Sequence, residues 1–386
     1  MARGRAVGRF SSVSDDLVTL FLCGDVMTGR GVDQILPHPG DPRLREAYVR
    51  EATTYVELAE SASGPIPRPV DPAWPWGDAL GILDDLAPDC RLINLETSIT
   101  RGGDFAPGKE VHYRMNPANI SCLTVARPDV CALANNHVLD FGPAGLAETL
   151  DTLAGAGLRA AGAGRDAAEA RRVAEVRLPG RGRVSVVSCG TVSSGIPPQW
   201  AAGVSRPGVD LLPSLSSQVA DQVADRARAA GHPGDIAVIS LHWGSNWGYE
   251  VGREQVAFAH RLIEGGVDLV HGHSSHHPRP IEVYRGKLIL YGCGDFIDDY
   301  EGIAGHEEYR DDLRLLYVVA LRPGTGELAE LRMVPMQARK MRLWFADERD
   351  RRWLAATIGR ASRPFGTRVE LAPDGVLALR VASRRR

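Results

Sequence analysis

The chain has 386 residues, of which 44% are hydrophobic and 24% are charged, and its formal net charge is -3. This composition is typical of a globular protein with a sizeable core, and the charge provides no basic field for nucleic acid. The N-terminal region has no apolar stretch long enough for a signal peptide or a membrane span. We therefore expect a cytoplasmic protein with no membrane anchor and no nucleic-acid partner. The six cysteines are scattered without a CxxC pair, which favours buried thiols over disulfides or metal ligands.

The first apolar run, residues 17–24, is typical of a strand buried on both faces, and it ends at Asp25. In open α/β sheets, ligands bind at the carboxyl ends of the strands. An aspartate at such a position is often only a turn residue or a helix cap. Asp25 therefore becomes a candidate ligand only if other strands end in similar side chains.

The segment that follows predicts a helix over residues 44–60 and then an irregular stretch over residues 64–76, which is rich in proline. We interpret residues 38–77 as an insertion that lies over the site. Trp74 and Trp76 either dock this insertion on the core or cover a substrate.

Three later strands are also predicted to end in polar side chains. These are Glu96 after residues 91–95, Asn136 and His137 after residues 129–134, and His242 after residues 236–241. An asparagine oxygen can bind a metal, and an imidazole can meet a leaving group or an oxyanion. Asp140 lies near enough in the chain to His137 to orient its ring. Helices are predicted between the strands, over residues 78–86, 143–156, 215–230 and 254–264.

Residues 267–291 carry four of the eleven histidines within seven positions, directly after another predicted strand: His271, His273, His276 and His277. Neutral imidazole is the commonest protein ligand for borderline transition metals. A solvated histidine-rich loop is the alternative interpretation, and the spacing matches no zinc-finger pattern. The histidines therefore need partners elsewhere in the chain.

A sheet would gather these strand ends at one edge. Two carboxylates, an amide oxygen and several imidazoles suit a pair of divalent ions, and ligation by nitrogen and oxygen without thiolate favours manganese, iron or zinc. The rest of the chain predicts a hairpin over residues 313–335, and then a helix over residues 348–358 and a small hairpin near residue 374. The predicted organisation is a flexible N-terminus over residues 1–16, one domain over residues 17–345 and a C-terminal extension over residues 346–386.

Six ordered motifs carry a resemblance to a known family. They are GDVMTGR (24–30), NLE (94–96), ANNHVLDFG (134–142), HWG (242–244), HGHSSHHPRPIE (271–282) and YGCGDFIDDY (291–300). Over residues 17–335 the sequence resembles the CapA branch, named for poly-γ-glutamate capsule synthesis, of the calcineurin-like metallophosphatases. The resemblance implies an α/β fold, a four-layer αββα sandwich of mixed sheets flanked by helices, with a two-metal site at the carboxyl ends of the strands.

The resemblance also implies a role for each matched residue. Asp25 and His276 would bind the first ion, and Glu96 would bridge the two ions. The second ion would be bound by Asn136, His242 and His273. His137, oriented by Asp140, would protonate a leaving group or stabilise the transition state.

Two positions depart from the pattern of the broader superfamily. Met27 stands where a histidine is usual, and Glu96 stands where an aspartate is usual, so the first metal site has fewer ligands than expected. His271 or His277 could compensate. Arg30 is the candidate anion-binding residue, because a guanidinium suits phosphate or carboxylate oxygens, and a structural ion pair is its alternative role.

The sequence leaves three functions open. The first is a metal-dependent hydrolase or phosphoesterase acting on a small or oligomeric anionic substrate, either phosphorylated or of γ-glutamyl or carboxylate type. The second is a soluble biosynthetic protein for poly-γ-glutamate or another amide-linked product. The third is a non-catalytic module that binds a metal or a ligand.

Overall fold

The computed structural model describes residues 16–229, 232 and 234–381. The predicted flexible N-terminus, residues 1–16, lies outside these residues except for Asp16. The helices are Arg30–Ile35 (α1), Thr53–Ser63 (α2), Ala79–Leu86 (α3), Ser121–Thr124 (α4), Gly142–Gly155 (α5), Ala167–Ala170 (α6), Ser217–Ala229 (α7), Arg253–Glu264 (α8) and Glu348–Ser362 (α9).

The strands alternate with these helices through most of the chain. They are Val18–Val26 (β1), Cys90–Leu95 (β2), Ser98–Ile99 (β3), Arg114–Met115 (β4), Val130–Ala132 (β5), Arg159–Ala161 (β6), Ala163–Gly164 (β7), Ala174–Leu178 (β8), Gly182–Gly190 (β9), Gly208–Val209 (β10), Ile236–His242 (β11), Leu269–His273 (β12), Ile281–Tyr284 (β13), Lys287–Leu290 (β14), Asp295–Ile297 (β15), Leu313–Leu321 (β16), Leu328–Ala338 (β17), Leu343–Phe345 (β18), Thr367–Leu371 (β19) and Leu377–Val381 (β20).

Two large mixed sheets organise the molecule. A ten-stranded sheet has the order β19-β20-β17-β16-β1-β2-β5-β6, with β15 paired to β1 and β18 paired to β17. A six-stranded sheet has the order β13-β14-β12-β11-β9-β8. Strands β1, β2 and β5 run parallel, as do β9, β11 and β12, so their carboxyl ends meet at a common edge of each sheet. The predicted α/β class is confirmed.

Three apolar clusters hold the sheets and helices together. One contains inward residues of both sheets, such as Leu20 and Leu92 from the ten-stranded sheet and Val238 from the six-stranded sheet. The opposite face of the ten-stranded sheet packs with residues of α2, α3 and α5, and the opposite face of the six-stranded sheet packs with residues of α7 and α8. Strands such as β1 are almost wholly buried because both of their faces are covered.

The helix predicted over residues 44–60 is wrong in its first half, since α2 begins at Thr53. The preceding residues form a closed loop in which the Leu44 N–H donates to the carbonyl of Arg50. The loop carries Glu46 to a buried ion pair with Arg30 and a hydrogen bond from the Tyr55 hydroxyl. A tertiary ion pair has overridden a local helical preference here.

The proline-rich arm over residues 64–76 is irregular, as predicted, and its two tryptophans dock it on the core. Trp76 is fully buried and its indole N–H donates to the carbonyl of Cys122, 2.7 Å away. The Trp74 indole donates to the carbonyl of Lys340. Docking, rather than covering a substrate, is the role these contacts support.

The short strand β15 was not predicted, and it lies directly against β1. The two strands pair in parallel with Asp25 opposite Asp295, and the Asp25 N–H donates to the Gly294 carbonyl at 3.0 Å. This close approach requires a glycine at position 24, because a Cβ atom there would lie 1.5 Å from the Gly294 oxygen. Gly24 therefore sets the separation of the two aspartates.

We expect Gly24→Ala to destabilise the protein by about 1–3 kcal/mol, because the added methyl must push β15 away from β1. The matched control is Gly81→Ala in α3, where an added Cβ atom meets nothing within 4 Å. That substitution should raise the free energy of unfolding by about 0.5–1 kcal/mol through helix propensity. Urea denaturation followed by circular dichroism measures both, and equal stability of Gly24→Ala and wild type would contradict the packing argument.

Candidate metal centre

The carboxyl ends of four strands bring most of the predicted site residues together. Asp25 lies near the end of β1, and Glu96 follows β2. His242 and His273 are the last residues of the neighbouring strands β11 and β12, paired in register. All four side chains are buried, with at most 2% exposure. Asn136 and His276 lie in the loops after β5 and β12 and are half-buried.

The first group of possible ligands consists of Asp25, His242 and His273, whose ligand atoms lie within 4.8 Å of one another. The Nδ1 atoms of the two histidines are 2.8 Å apart, and His273 Nδ1 is 4.0 Å from Asp25 Oδ1. The other ring nitrogen of His242 is 3.0 Å from Asn136 Oδ1. Asn136 and His273 therefore both contact His242, but at different nitrogens of its ring, and the set implied for the second ion stays a prediction.

The second group consists of Asp25, His276 and Asp295, again within 4.8 Å. His276 Nδ1 is 3.0 Å from Asp295 Oδ1. Asp25 belongs to both groups, so it is the residue that joins them. Asp295 was not predicted as a site residue.

Glu96 lies between the candidate ligands and His137. Its Oε1 atom is 3.8 Å from Nε2 of both His137 and His242. Glu96 belongs to neither of the two ligand groups, and its bridging role stays a prediction.

Two asparagines hold the acidic groups in place. The Asn94 amide donates to Asp25 Oδ1 at 2.7 Å and to Glu96 Oε2 at 3.0 Å. Asn135 donates to Asn94 Oδ1, and its own oxygen accepts the N–H groups of His137 and Val138. A single hydrogen-bonded chain thus fixes the carboxylates relative to the candidate catalytic histidine.

Two residues lie at the Nδ1 atom of His137. One is Asp140, which the sequence predicts, and the other is Lys109, which the sequence did not indicate. Asp140 Oδ2 lies 2.7 Å from Nδ1, and Lys109 Nζ lies 2.9 Å from the same atom. Lys109 also donates to Asp140 Oδ1 and to the carbonyl of Asn136. The Nε2 atom of His137 is left facing Glu96.

Burial controls the charge of the site. It raises the pKa of Glu96 to about 8 and raises the pKa of Asp25 well above its usual value, with help from the neighbouring charges of Glu96 and Asp295. It lowers the pKa values of His242 and His273 well below their usual value, so both rings are neutral at pH 7, which is the form that binds metals.

The two remaining histidines of the site have different environments. Burial would lower the pKa of His276, but the charge of Asp295 raises it overall. Burial and the charge of Lys109 lower the pKa of His137 to about 4. His276 is therefore the imidazole that bears a positive charge most readily.

Three residues considered in the sequence analysis have other partners. His271 is hydrogen-bonded to the Cys23 carbonyl and to Ser240, and His277 lies between the Gly248 N–H and the Pro278 carbonyl. Neither contributes to the two ligand groups. Arg30 is buried and pairs with Asp299 and Glu46, the arrangement expected of its alternative structural role.

The sequence carried a signal for one of the missed residues. Asp295 follows an apolar run and a glycine, as Asp25 does, so the same pattern of strand, glycine and aspartate occurs twice. Asn94 lies inside the NLE motif but was not assigned a role. Lys109 lies in an irregular loop without any periodic pattern, and only the folded chain brings it to His137.

Comparison with known proteins decides the family. A family model described as bacterial capsule synthesis protein PGA_cap matches residues 19–300. The chain belongs to this family.

Two relatives differ greatly in their similarity to this chain. A probable polyglutamine synthesis accessory protein of Mycobacterium tuberculosis is 58% identical over 363 residues, covering 94% of this chain and 96% of the relative. The PGA biosynthesis protein CapA of Bacillus subtilis is 26% identical over 319 residues, covering 82% of this chain and 72% of the relative. The predicted resemblance to the CapA family is confirmed.

Among the residues that the structure describes, no helix combines the length and the apolar character needed to cross a bilayer. The longest of the described helices, α9, has 15 residues.

Lys109→Met should destabilise this member of the PGA_cap family by about 3–5 kcal/mol, because it leaves the fully buried Asp140 carboxylate without its cation. Lys109→Met combined with Asp140→Asn should recover most of the loss, since the uncompensated charge is removed. Urea denaturation at pH 7 measures the three proteins against wild type.

A pH series provides a second check on this pair. Lys109 and His137 hold the pKa of Asp140 below its usual value although burial alone would raise it. A carboxyl group with a lowered pKa in the folded state stabilises at neutral pH and loses that contribution as the pH falls through its pKa. The difference in the free energy of unfolding between wild type and Lys109→Met should therefore shrink as the pH falls. A difference that stays constant with pH would contradict the role of Lys109 as the cation paired with Asp140.

Proposed function

We propose that this protein is a metal-dependent hydrolase of the phosphoesterase type that acts on a phosphorylated or carboxylate-bearing compound. The proposal includes two divalent ions, of manganese, iron or zinc, and a four-layer αββα sandwich like that of the metallophosphatases. The apolar cluster between the two sheets, with helices packed on the opposite face of each, supports the proposed sandwich.

One observation carries the proposal. Two buried carboxylate oxygens of the site, Asp25 Oδ2 and Asp295 Oδ2, have no hydrogen-bond donor within reach among the described residues. Buried polar atoms are nearly always paired, so acceptors of this kind beside neutral imidazoles suit a bound cation. When bound, divalent ions would supply Lewis-acid activation and would neutralise charge that develops on a reacting phosphoryl group.

The chain's own residues would hold and orient the reacting groups. Asp25 and His276 would hold one ion, and Asn136, His242 and His273 the other, with Glu96 between them. His137 presents Nε2 to the site while Asp140 and Lys109 fix its other nitrogen. A proton exchanged at Nε2 with a substrate oxygen is the step that this orientation favours.

A biosynthetic role is the second candidate, and it is compatible with the first. The relatives carry the names of polyglutamine synthesis accessory protein and PGA biosynthesis protein. We infer that a hydrolase of this family would act within the synthesis of a polyglutamate or another amide-linked product. The substrate would then be an anionic intermediate or oligomer of that synthesis.

Metal content tests the proposal directly. The protein purified without chelator should contain about two divalent ions per chain, and His273→Ala should lose one of them. Elemental mass spectrometry measures both values. The control is His260→Ala, which removes a histidine paired with Glu282 outside the site and should leave the metal content unchanged. A metal-free wild type, even after reconstitution with manganese, iron or zinc, would favour the non-catalytic module.

Replacing His137 separates catalysis from metal binding. His137→Ala should retain the metal content of wild type but lower the turnover of phosphoester substrates by about 10²–10⁴-fold, the usual range for a general acid or base. A panel of aryl phosphates and γ-glutamyl anilides provides the assay. Loss of metal together with activity would show that His137 is a ligand instead.

A further inference from the structure

The set of residues implied for the first ion lacks one member. Met27 takes the place of the usual histidine, and it is fully buried, with its sulfur 3.6 Å from the Tyr300 hydroxyl. A thioether is a poor ligand for the divalent ions that oxygen and nitrogen ligands favour. Since His271 and His277 have structural partners, neither replaces the missing ligand.

Strand β15 supplies a carboxylate to the same place. Its parallel pairing sets Asp295 opposite Asp25 on β1, and Gly24 allows the two backbones to approach closely. The ligand atoms of Asp25, His276 and Asp295 lie within 4.8 Å of one another. These three residues surround one point from β1, from β15 and from the loop after β12.

Each of these two aspartates has one oxygen that nothing satisfies. Asp25 is fully buried and Asp295 is 1% exposed, and in the described part of the chain no donor reaches either Oδ2 atom. The remaining oxygens are used, by Asn94 on Asp25 and by His276 on Asp295. Two buried carboxylate oxygens without a partner are acceptors that a bound cation would satisfy.

We propose that Asp295 binds the first metal ion directly, together with Asp25 and His276, in the place of the histidine that Met27 replaces. This assignment rests on the proposed two-metal function and deepens it by completing the first ligand set. It gives that ion two carboxylates and one imidazole, a set richer in oxygen than the one on the second ion. Such a site favours manganese or iron over zinc.

The alternative is that Asp295 only orients His276, as carboxylates often do behind a metal-bound histidine. Its contact with Nδ1 is compatible with that role. In that arrangement, however, Oδ2 of Asp295 stays buried without a partner. Direct ligation satisfies this atom, and so the geometry favours it.

Asp295→Asn distinguishes the two roles. The amide oxygen can still accept a hydrogen bond from His276, but the ligand charge is lost. The chelator-treated protein is titrated with Mn²⁺ and is followed by elemental analysis and by electron paramagnetic resonance. Glu282→Gln is the matched control, because it makes the same change in a second pair of a buried carboxylate and a histidine, outside the site.

The titration has distinct outcomes. Direct ligation predicts that Asp295→Asn binds one Mn²⁺ as tightly as wild type and the other more than about 100-fold more weakly, beyond the 10–100-fold typical of an outer partner. The spectrum should change from that of a coupled pair to that of an isolated ion. The assignment would be overturned if Asp295→Asn bound both Mn²⁺ ions with affinities within 100-fold of those of wild type. It would also be overturned if the variant lost both ions together. A wild type that binds zinc but no Mn²⁺ would overturn the assignment alone, and a wild type that binds none of manganese, iron and zinc would overturn the proposed function as well.

A rescue variant keeps the assignment testable if Asp295→Asn is merely less stable. Met27→His restores the missing histidine, so combining it with Asp295→Asn should return the second Mn²⁺ equivalent. Thermal melting of each apoprotein shows whether the fold is intact. If the double variant folds but still binds a single ion, the proposal that Asp295 replaces the ligand missing at position 27 is overturned.

Discussion

The burial of three carboxylates at one edge of the ten-stranded sheet is the constraint on which the site depends. Asp25, Glu96 and Asp295 are each at most 2% exposed. The cationic groups that interact with them are Lys109, the readily charged His276 and Arg314, which is itself paired with Asp298. Negative charge in a closed, weakly polar space is costly unless it is balanced. The elevated pKa values of Asp25 and Glu96 are the electrostatic expression of this imbalance. The divalent ions of the proposed function would supply the positive charge that keeps these acids ionised.

The surrounding framework is built to tolerate that arrangement. Asn94 ties two of the carboxylates together, and Asn135 connects Asn94 to the backbone that carries His137. Gly24 lets β15 lie directly against β1, so that the third carboxylate arrives from a separate strand. The pairing of the strands therefore places the carboxylates, and the hydrogen bonds of the asparagine side chains orient them. Residues from distant parts of the chain are thus held together at one edge of the sheet.

Sequence patterns were informative where a long apolar run ended in a polar residue. The ends of β1, β11 and β12 were predicted in this way, and the side chains there, Asp25, His242 and His273, do lie together. Asp295 was missed because β15 has only three residues, too few for a periodic signal. Lys109 was missed because its loop is held by tertiary contacts alone. The early start predicted for α2 failed for a related reason, since the ion pair of Glu46 outweighs local propensity.

The last two strands of the ten-stranded sheet lie outside the segment that matches the family. Strands β20 and β19 follow β17 at one margin of that sheet, and β19 carries exposed Arg368 and Glu370 at alternating positions. A bare strand margin would offer its unpaired amide and carbonyl groups to other polypeptides, which is how sheets begin to aggregate. A short outer strand with charges on it is a poor template for such growth. The C-terminal segment therefore covers the edge of β17 and leaves a short, charged strand as the margin of the sheet, an arrangement that disfavours edge-to-edge aggregation.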